Sequence, residues 1–327
     1  MQFTRRWYYY KRLFQTYIFK KGSNLSFWHE TPILNENASI DHLGQYYMVF
    51  DDKANYDGPF DSKGIPLLDY QSNIMLQYNP VAISQYGLAH YNRYKEQSNY
   101  KSKTIFLNQA LWLTENLERN ASGVHVWNHW FNWEYKEVLK APWYSALSQG
   151  QGISLLLRAW IETGSHIFKE SADKAFESFL VPISKGGVTY HCNDDELWFE
   201  EYIIDSPTHI LNGFIWSLWG IYDYKLITED SNANLLLYKA LATLKNYLKY
   251  YDTGYWSLYD FSKTSGLKML SSPFYHKLHI VQLRVIERLT NEAIFGEYAS
   301  KWDEYSKNPL KKFRALILKI LFKTFYY

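Results

Sequence analysis

His276 and His279 stand three residues apart in YHKLHIVQL, a spacing that puts both imidazoles on one face of a helix, where they could grip a carboxylate. As a metal pair they lack an evident third ligand, so no metal is expected. In LNGF, Asn212-Gly213 marks a helix start with close backbone approach and an amide free to bind a sugar. Gln149-Gly150-Gln151-Gly152 falls on a helical run, where each glycine costs about 1 kcal/mol against alanine. That cost implies tight helix contact or a surface that a chain of sugars approaches. Gln149 and the nearby Tyr144 are candidate sugar-binding residues. Glu201 and Tyr202 are adjacent, so in a regular strand they would face opposite sides. Joint action needs an irregularity at the strand end, and Pro207 follows shortly. The carboxylates of DDKANYDG (51–58) lack the alternate-position ligands of an EF-hand, and the segment reads as a solvated loop.

The composition suits a sugar partner. Aromatic residues make up 19% of the chain, with 30 Tyr and 13 Trp. Their faces stack on the C–H faces of sugar rings, although an aromatic-rich core fits equally well. A formal charge of +2 is too small to argue for nucleic acid. With 47% hydrophobic and 21% charged residues in 327, the chain can build one large domain with an appendage, or two domains. The single Cys192 excludes an internal disulfide. The N-terminus is basic (Arg5, Arg6, Lys11, Arg12, Lys20, Lys21), but Tyr and charged residues interrupt its apolar runs, so no cleavable signal is read and a cytoplasmic location is expected.

Three segments are expected to position these residues. Residues 1–75 form a basic stretch and then a small extended or β-rich region, with Tyr46–Phe50 as its most strand-like run. Residues 76–308 are dominated by helical periodicity. Asn79-Pro80 caps a helix to about Lys95, and others follow from Ile105, from near Trp143, from His166, and over 211–222, 237–248, 279–289 and 293–306. Short β-like insertions separate them at 123–135 and 186–202, the second with an NDDE turn suited to a hairpin. Stacked helical hairpins with hairpin insertions are therefore the expected architecture, a mainly α fold. Residues 309–327 carry five basic residues and no acid. On a helix Lys312, Lys319 and Lys323 share one face and Phe313, Ile317, Ile320 and Leu321 another, the pattern of an interfacial or partner-docking helix.

Four stretches in order resemble the C-terminal catalytic domain of heparosan-type D-glucuronyl C5-epimerases: YNPVAISQYGLAHYN, WYSALSQGQGISLLLRAW, EEYIIDSPTHILNGFIWSLWGIYD and YDTGYWSLYD. A fifth, YHKLHIVQL, is weaker. The resemblance covers roughly residues 78–290 and implies closure of the hairpins into an incomplete α/α toroid. It carries the family's catalytic tyrosines onto Tyr202, Tyr259 and Tyr275, and its adjacent carboxylate onto Glu201. Where the family usually has an arginine, three residues after the tyrosine matched by Tyr259, this chain has Ser262 followed by Lys263. Lysine supplies charge but no bidentate fork.

The implied reaction removes the hydrogen at C5 of glucuronate and returns a proton to the opposite face, giving iduronate without a cofactor. Such chemistry needs one group on each side of the ring. Tyr202 and Tyr275 with Glu201 would supply them, Tyr259 being a partner or alternative acid, while His276, His279, Lys263, Asn212, Tyr144 and Gln149 would bind substrate. A uronate lyase begins with the same deprotonation, and a non-catalytic glycan-binding protein of capsule assembly would use the same groove. The expected partners are an acidic polysaccharide, an anionic inner-membrane surface met by the basic ends, and a second copy of the chain.

Overall fold

The structure, a computed structural model, describes residues 27–28, 31–70, 74–261 and 268–326. The basic N-terminal residues and Lys263 lie outside the described residues. Beyond the N-terminal region the chain alternates long helices with two-stranded hairpins. Helix α1 (Pro80–Gln97) begins on Asn79, whose side chain accepts from the N–H groups of Val81 and Ala82, with Pro80 at the first position. Helix α2 (Tyr100–Glu115) is capped by Asn99 and starts five residues before the sequence pattern suggests, because its first turn, YKSK, carries no apolar periodicity. Helices α3 (Ala146–Thr163) and α4 (His166–Leu180) form the next pair, followed by α5 (Leu211–Thr228) and α6 (Ser231–Tyr251), then α7 (Pro273–Thr290) and α8 (Ala293–Lys307).

Each odd helix packs on the even helix that follows it, and α1, α3, α5 and α7 also pack in a row on one another. No substantial contact joins α1 to α7 among the described residues. The result is an open α/α toroid, an inner row backed by outer helices. The pattern of α5 explains its inner place: every residue from Leu211 to Tyr224 is buried, as expected of a helix that is apolar nearly all round. The closest crossing is between α3 and α5. A Cβ on Gly150 would lie 2.6 Å from the Ser217 Cα, and one on Gly220 would lie 2.4 Å from the Gly150 Cα. Gly150 and Gly220 thus serve tight helix contact, whereas Gly152 makes room for the Trp127 ring, which a Cβ there would meet at 2.3 Å.

Antiparallel hairpins fill the links. Strands β1 (Leu67–Asp69) and β2 (Leu76–Tyr78) pair before α1. Strands β3 (Leu117–Arg119) and β4 (His125–Trp127), then β5 (Trp133–Glu134) and β6 (Val138–Leu139), pair between α2 and α3. Strands β7 (Thr189–His191) and β8 (Leu197–Phe199) pair across the NDDE turn, with Thr189 opposite Phe199.

The N-terminal region is extended and buried against the helices. Its strand-like run Tyr46–Phe50 makes one bridge, Leu34 with Met48. Much of its backbone is instead bound by Asn92 of α1, which accepts from the Tyr46 N–H at 2.6 Å and donates to the Met48 carbonyl at 2.8 Å. A fully buried Arg158–Asp223 pair at 2.6 Å also takes the Gly44 carbonyl and the Tyr47 hydroxyl, locking this region onto α3 and α5. The start of DDKANYDG is a single helical turn, Asp51–Ala54, in which Lys53 is buried and donates to the Phe27 carbonyl. An internal lysine contact converts part of the expected solvated loop into ordered structure.

Helix α9 (Pro309–Tyr326) packs on α8. Its orientation departs from the simple two-face reading. Ala315, Leu316, Phe322 and Lys319 are buried, whereas Leu310, Phe313, Ile317 and Leu321 are exposed. Lys319 therefore does not share a solvent face with Lys312.

Candidate active site

The strand that should carry Glu201 and Tyr202 ends early. Strand β8 stops at Phe199 and the chain bends at 201–202, which brings the two side chains near enough for the Tyr202 hydroxyl to pull the Glu201 carboxyl down. Glu201 is buried against the first turn of α5. There the Asn212 amide donates to its Oε2 at 3.2 Å. A Cβ on Gly213 would stand 2.3 Å from the same oxygen, so only glycine lets the carboxyl sit there. Burial pushes Glu201 up to about 8, against the downward pull of Tyr202 and Asn212, and the charge of Glu200 pushes the same way as burial.

Tyr259 reaches the cluster from a different segment. Its N–H donates to the Met269 carbonyl at 2.8 Å and its carbonyl accepts from Leu211 at the start of α5. Its ring meets that of Tyr275, at the start of α7, edge to face with centroids 4.9 Å apart. Burial raises the Tyr202 and Tyr259 phenols well above 10, and the charges of Glu201 and Tyr275 act on both in the same direction. Three phenols from three segments thus gather around one buried carboxyl group.

Aromatic residues wall this cluster. Tyr202 lies 4.7 Å from the Tyr135 ring and 5.7 Å from that of Trp143, and the nearby Trp133 indole pulls its phenol down against burial. Tyr70, just past β1, packs 5.6 Å from Trp133 and accepts from Asn79 at 2.7 Å. Tyr135 donates to Asp260 Oδ2 at 2.6 Å, and Lys136 pairs with the same oxygen at 2.7 Å. Trp133, Tyr135, Trp143 and Tyr70 were not singled out from sequence. They sit in aromatic-rich links where nothing marks one ring over its neighbours, except that Trp143 adjoins the chosen Tyr144.

Other sequence candidates fall elsewhere. Tyr144 lies near Asn120, whose side chain pulls its phenol down against burial. The Gln149 amide is consumed inside the fold, accepting from the Trp127 N–H at 3.0 Å and donating to His125, Ala175 and Ser178. His276 and His279 are buried. His276 Nε2 donates to the Trp302 carbonyl at 2.9 Å, which leaves Nδ1 to accept from the Ser257 N–H at 3.1 Å. His279 Nδ1 lies 3.0 Å from the Ser257 hydroxyl. Burial pushes His276 down to about 4 and His279 well below its usual value, so both are neutral. They fasten the Tyr259 segment to the helix of Tyr275 and are not exposed to grip a carboxylate. Glu200, also unforeseen, holds His209 Nδ1 at 2.5 Å while His209 takes a left-handed backbone with φ 51°, one turn of chain from Asn212.

Fold and site together define a helical-hairpin protein with a buried phenol–carboxyl cluster inside an aromatic wall. The chain belongs to the family described as D-glucuronyl C5-epimerase C-terminus, which matches residues 119–304 and places it among carbohydrate epimerases. An uncharacterized protein of Methanocaldococcus jannaschii is 30% identical over 224 residues, 64% of this chain and 70% of that one. The D-glucuronyl C5-epimerase of Caenorhabditis elegans is 32% identical over 187 residues, 53% of this chain and 30% of the worm protein, so the chain spans under a third of that enzyme. Among solved structures, the unsaturated glucuronyl hydrolase of Bacillus sp. GL1 superposes with a TM-score of 0.47 at 14% identity, over 69% of this chain and 61% of that one.

Proposed function

We propose that the chain inverts C5 of D-glucuronate to L-iduronate within a heparosan-like polysaccharide. The observation that carries this reading is the convergence of Tyr202, Tyr259 and Tyr275 on the buried Glu201. Of the four groups, Glu201 ionises most readily, since burial holds the Tyr202 and Tyr259 phenols above their ordinary value. Once ionised, it accepts the Tyr202 phenolic proton as the Tyr202 oxygen removes the hydrogen from C5. The C5–H bond breaks, a new O–H forms on Tyr202, and the negative charge moves from Glu201 into the substrate's carboxylate-stabilised carbanion. Tyr275 then gives its proton to the opposite face of C5. The Tyr259 ring against Tyr275 supports it as the partner that returns a proton to the resulting phenolate, and the proton held on Glu201 then replaces the one Tyr259 gave, which restores the starting charges. Asn212, donating to Glu201, tunes the carboxyl. The nearby Trp133 indole, which pulls the Tyr202 phenol down against burial, would stabilise negative charge developing on that oxygen.

The aromatic wall supports a sugar chain as substrate, because rings at this density offer stacking surface on both sides of a bound unit. The outer stripe of α9 supports a place on a membrane surface. Leu310, Phe313 and Ile317 are exposed beside Lys311, Lys312 and Arg314, in a helix with no acidic residue. Among the described residues, no helix is long and apolar enough to cross a membrane.

Incubation with unsulfated heparosan in heavy water tests the chemistry. Deuterium at C5 with iduronate formed and the chain intact is expected. An unsaturated end group would mean lyase chemistry, and polymer binding without exchange would mean a glycan-binding protein. Tyr202→Phe and Tyr275→Phe should each lower exchange about a hundredfold or more in a folded protein. Unchanged exchange in both would overturn the assignment.

A further inference from the structure

Helix α9 lies beyond the residues that match the family, yet its inner face enters the interior behind the site. Lys319 is 5% exposed, and its ammonium donates to the Leu270 carbonyl. An ammonium in such a place forfeits its hydration, and burial lowers it to about 8, with the charge of Asp260 opposing that shift. A methionine or leucine would fill the same space without that penalty, so the contact calls for a role beyond packing.

The recipient of the bond is informative. Leu270 pairs with Leu258, and on either side Tyr259 donates to Met269 and Ser271 donates to Ser257. The 269–271 strand is therefore the surface on which Tyr259 is mounted. Trp256 and the Ser257–His276 contact hold its other carbonyl and its partner strand. Asp260, the carboxylate that acts on Lys319, also receives the Tyr135 hydroxyl, whose ring packs on Tyr202. One route thus leads from this side chain to a reactive phenol, through the backbone that holds Tyr259.

We propose that Lys319 is a positioning residue of the active site, fixing the Tyr259 strand from behind, so that α9 is part of the catalytic unit. The kinetic side of this inference rests on the proposed epimerisation; the mechanical side does not.

Amide hydrogen exchange on the full chain reads the mechanical side. Lys319→Met removes the donor and the charge, and exchange at Tyr259 and Ser271 should speed by about tenfold or more while α3 and α5 keep their protection. Lys319→Gln keeps a donor for the Leu270 carbonyl and should restore most of that protection. Isotope incorporation at C5 reads the kinetic side. Lys319→Met should lower kcat by about tenfold to a hundredfold with KM nearly unchanged, as expected when a reacting group is misplaced rather than substrate binding lost. Lys319→Gln should recover part of it. Wild-type protection around Tyr259 in Lys319→Met would overturn the proposal whatever the kinetics, as would lost protection with a normal kcat. Should the wild-type protein incorporate no deuterium, the epimerase reading fails, and hydrogen exchange still decides whether Lys319 holds the strand.

Discussion

In the proposed reaction Glu201 concentrates the chemistry, because burial raises its carboxyl to about 8. With Glu201 raised from an ordinary 4.5 to about 8, the folded protein keeps a proton that the unfolded chain has already lost across that window. Stability contributed by this group therefore falls as pH rises from 4.5 to 8, by at most about 1.4 kcal/mol per pH unit, and levels off above. Turnover moves the other way, since the mechanism needs the anion: kcat should climb with pH, reach half its limit near pH 8 where Glu201 is half ionised, and level off above that. Glu201→Gln should lower kcat about a hundredfold or more, flatten the rising limb, and remove this part of the pH dependence of stability. A variant that keeps the wild-type pH–rate profile would show that Glu201 is not the proton acceptor. Sequence made Glu201 legible only through the motif around it. The bend that turns it toward Tyr202 and the burial that raises it depend on β8 ending at Phe199 and on Gly213, both products of tertiary packing. His276 and His279 show the converse. Their spacing correctly puts them on one helical face, but spacing does not say whether that face meets solvent or a serine.

At the scale of elements, the helical series was readable because caps and periodicity agreed. Asn79-Pro80 fixed the start of α1, and Ser145 and Asp230 cap α3 and α6 with side-chain bonds to the first turn. The Tyr46–Phe50 run was less readable, since a strand-like pattern cannot reveal that Asn92 will take its backbone groups. The glycines divide by element in a way that can be tested. Gly150→Ala places a methyl 2.6 Å from the backbone of Ser217, where neither helix can yield cheaply. It should destabilise the fold by about 1–3 kcal/mol, more than the gain in helix propensity returns. Gly213→Ala meets the Glu201 side chain instead. It should displace the carboxyl and cut C5 exchange severalfold to about a hundredfold, with a smaller effect on thermal unfolding. Equal unfolding temperatures for Gly150→Ala and wild type, or normal exchange in Gly213→Ala, would contradict these packing roles.

For the molecule as a whole, the two proposals meet in α9, one helix with a lysine buried behind the site and an apolar stripe facing outside. The stripe, Leu310 at 78% and Phe313 at 61% exposed with Ile317 and Leu321 beyond, is unusual for a helix whose lysine is inside. A reading from sequence alone would test membrane contact by deleting residues 309–327. That deletion also removes Lys319, Ala315 and Leu316 from the interior, so lost vesicle binding would be confounded with a damaged domain. Replacing Leu310, Phe313 and Ile317 together by serine changes only exposed side chains. Binding to vesicles containing anionic phospholipid should weaken at least about tenfold, since each apolar side chain that enters the interface contributes burial energy. High salt should weaken the wild-type protein further by screening Lys311, Lys312 and Arg314. Unfolding temperature and C5 exchange on soluble polymer should stay at wild-type values. If the triple variant binds vesicles as tightly as the parent, the outer face of α9 is not the membrane contact, and the exposed stripe must serve another partner.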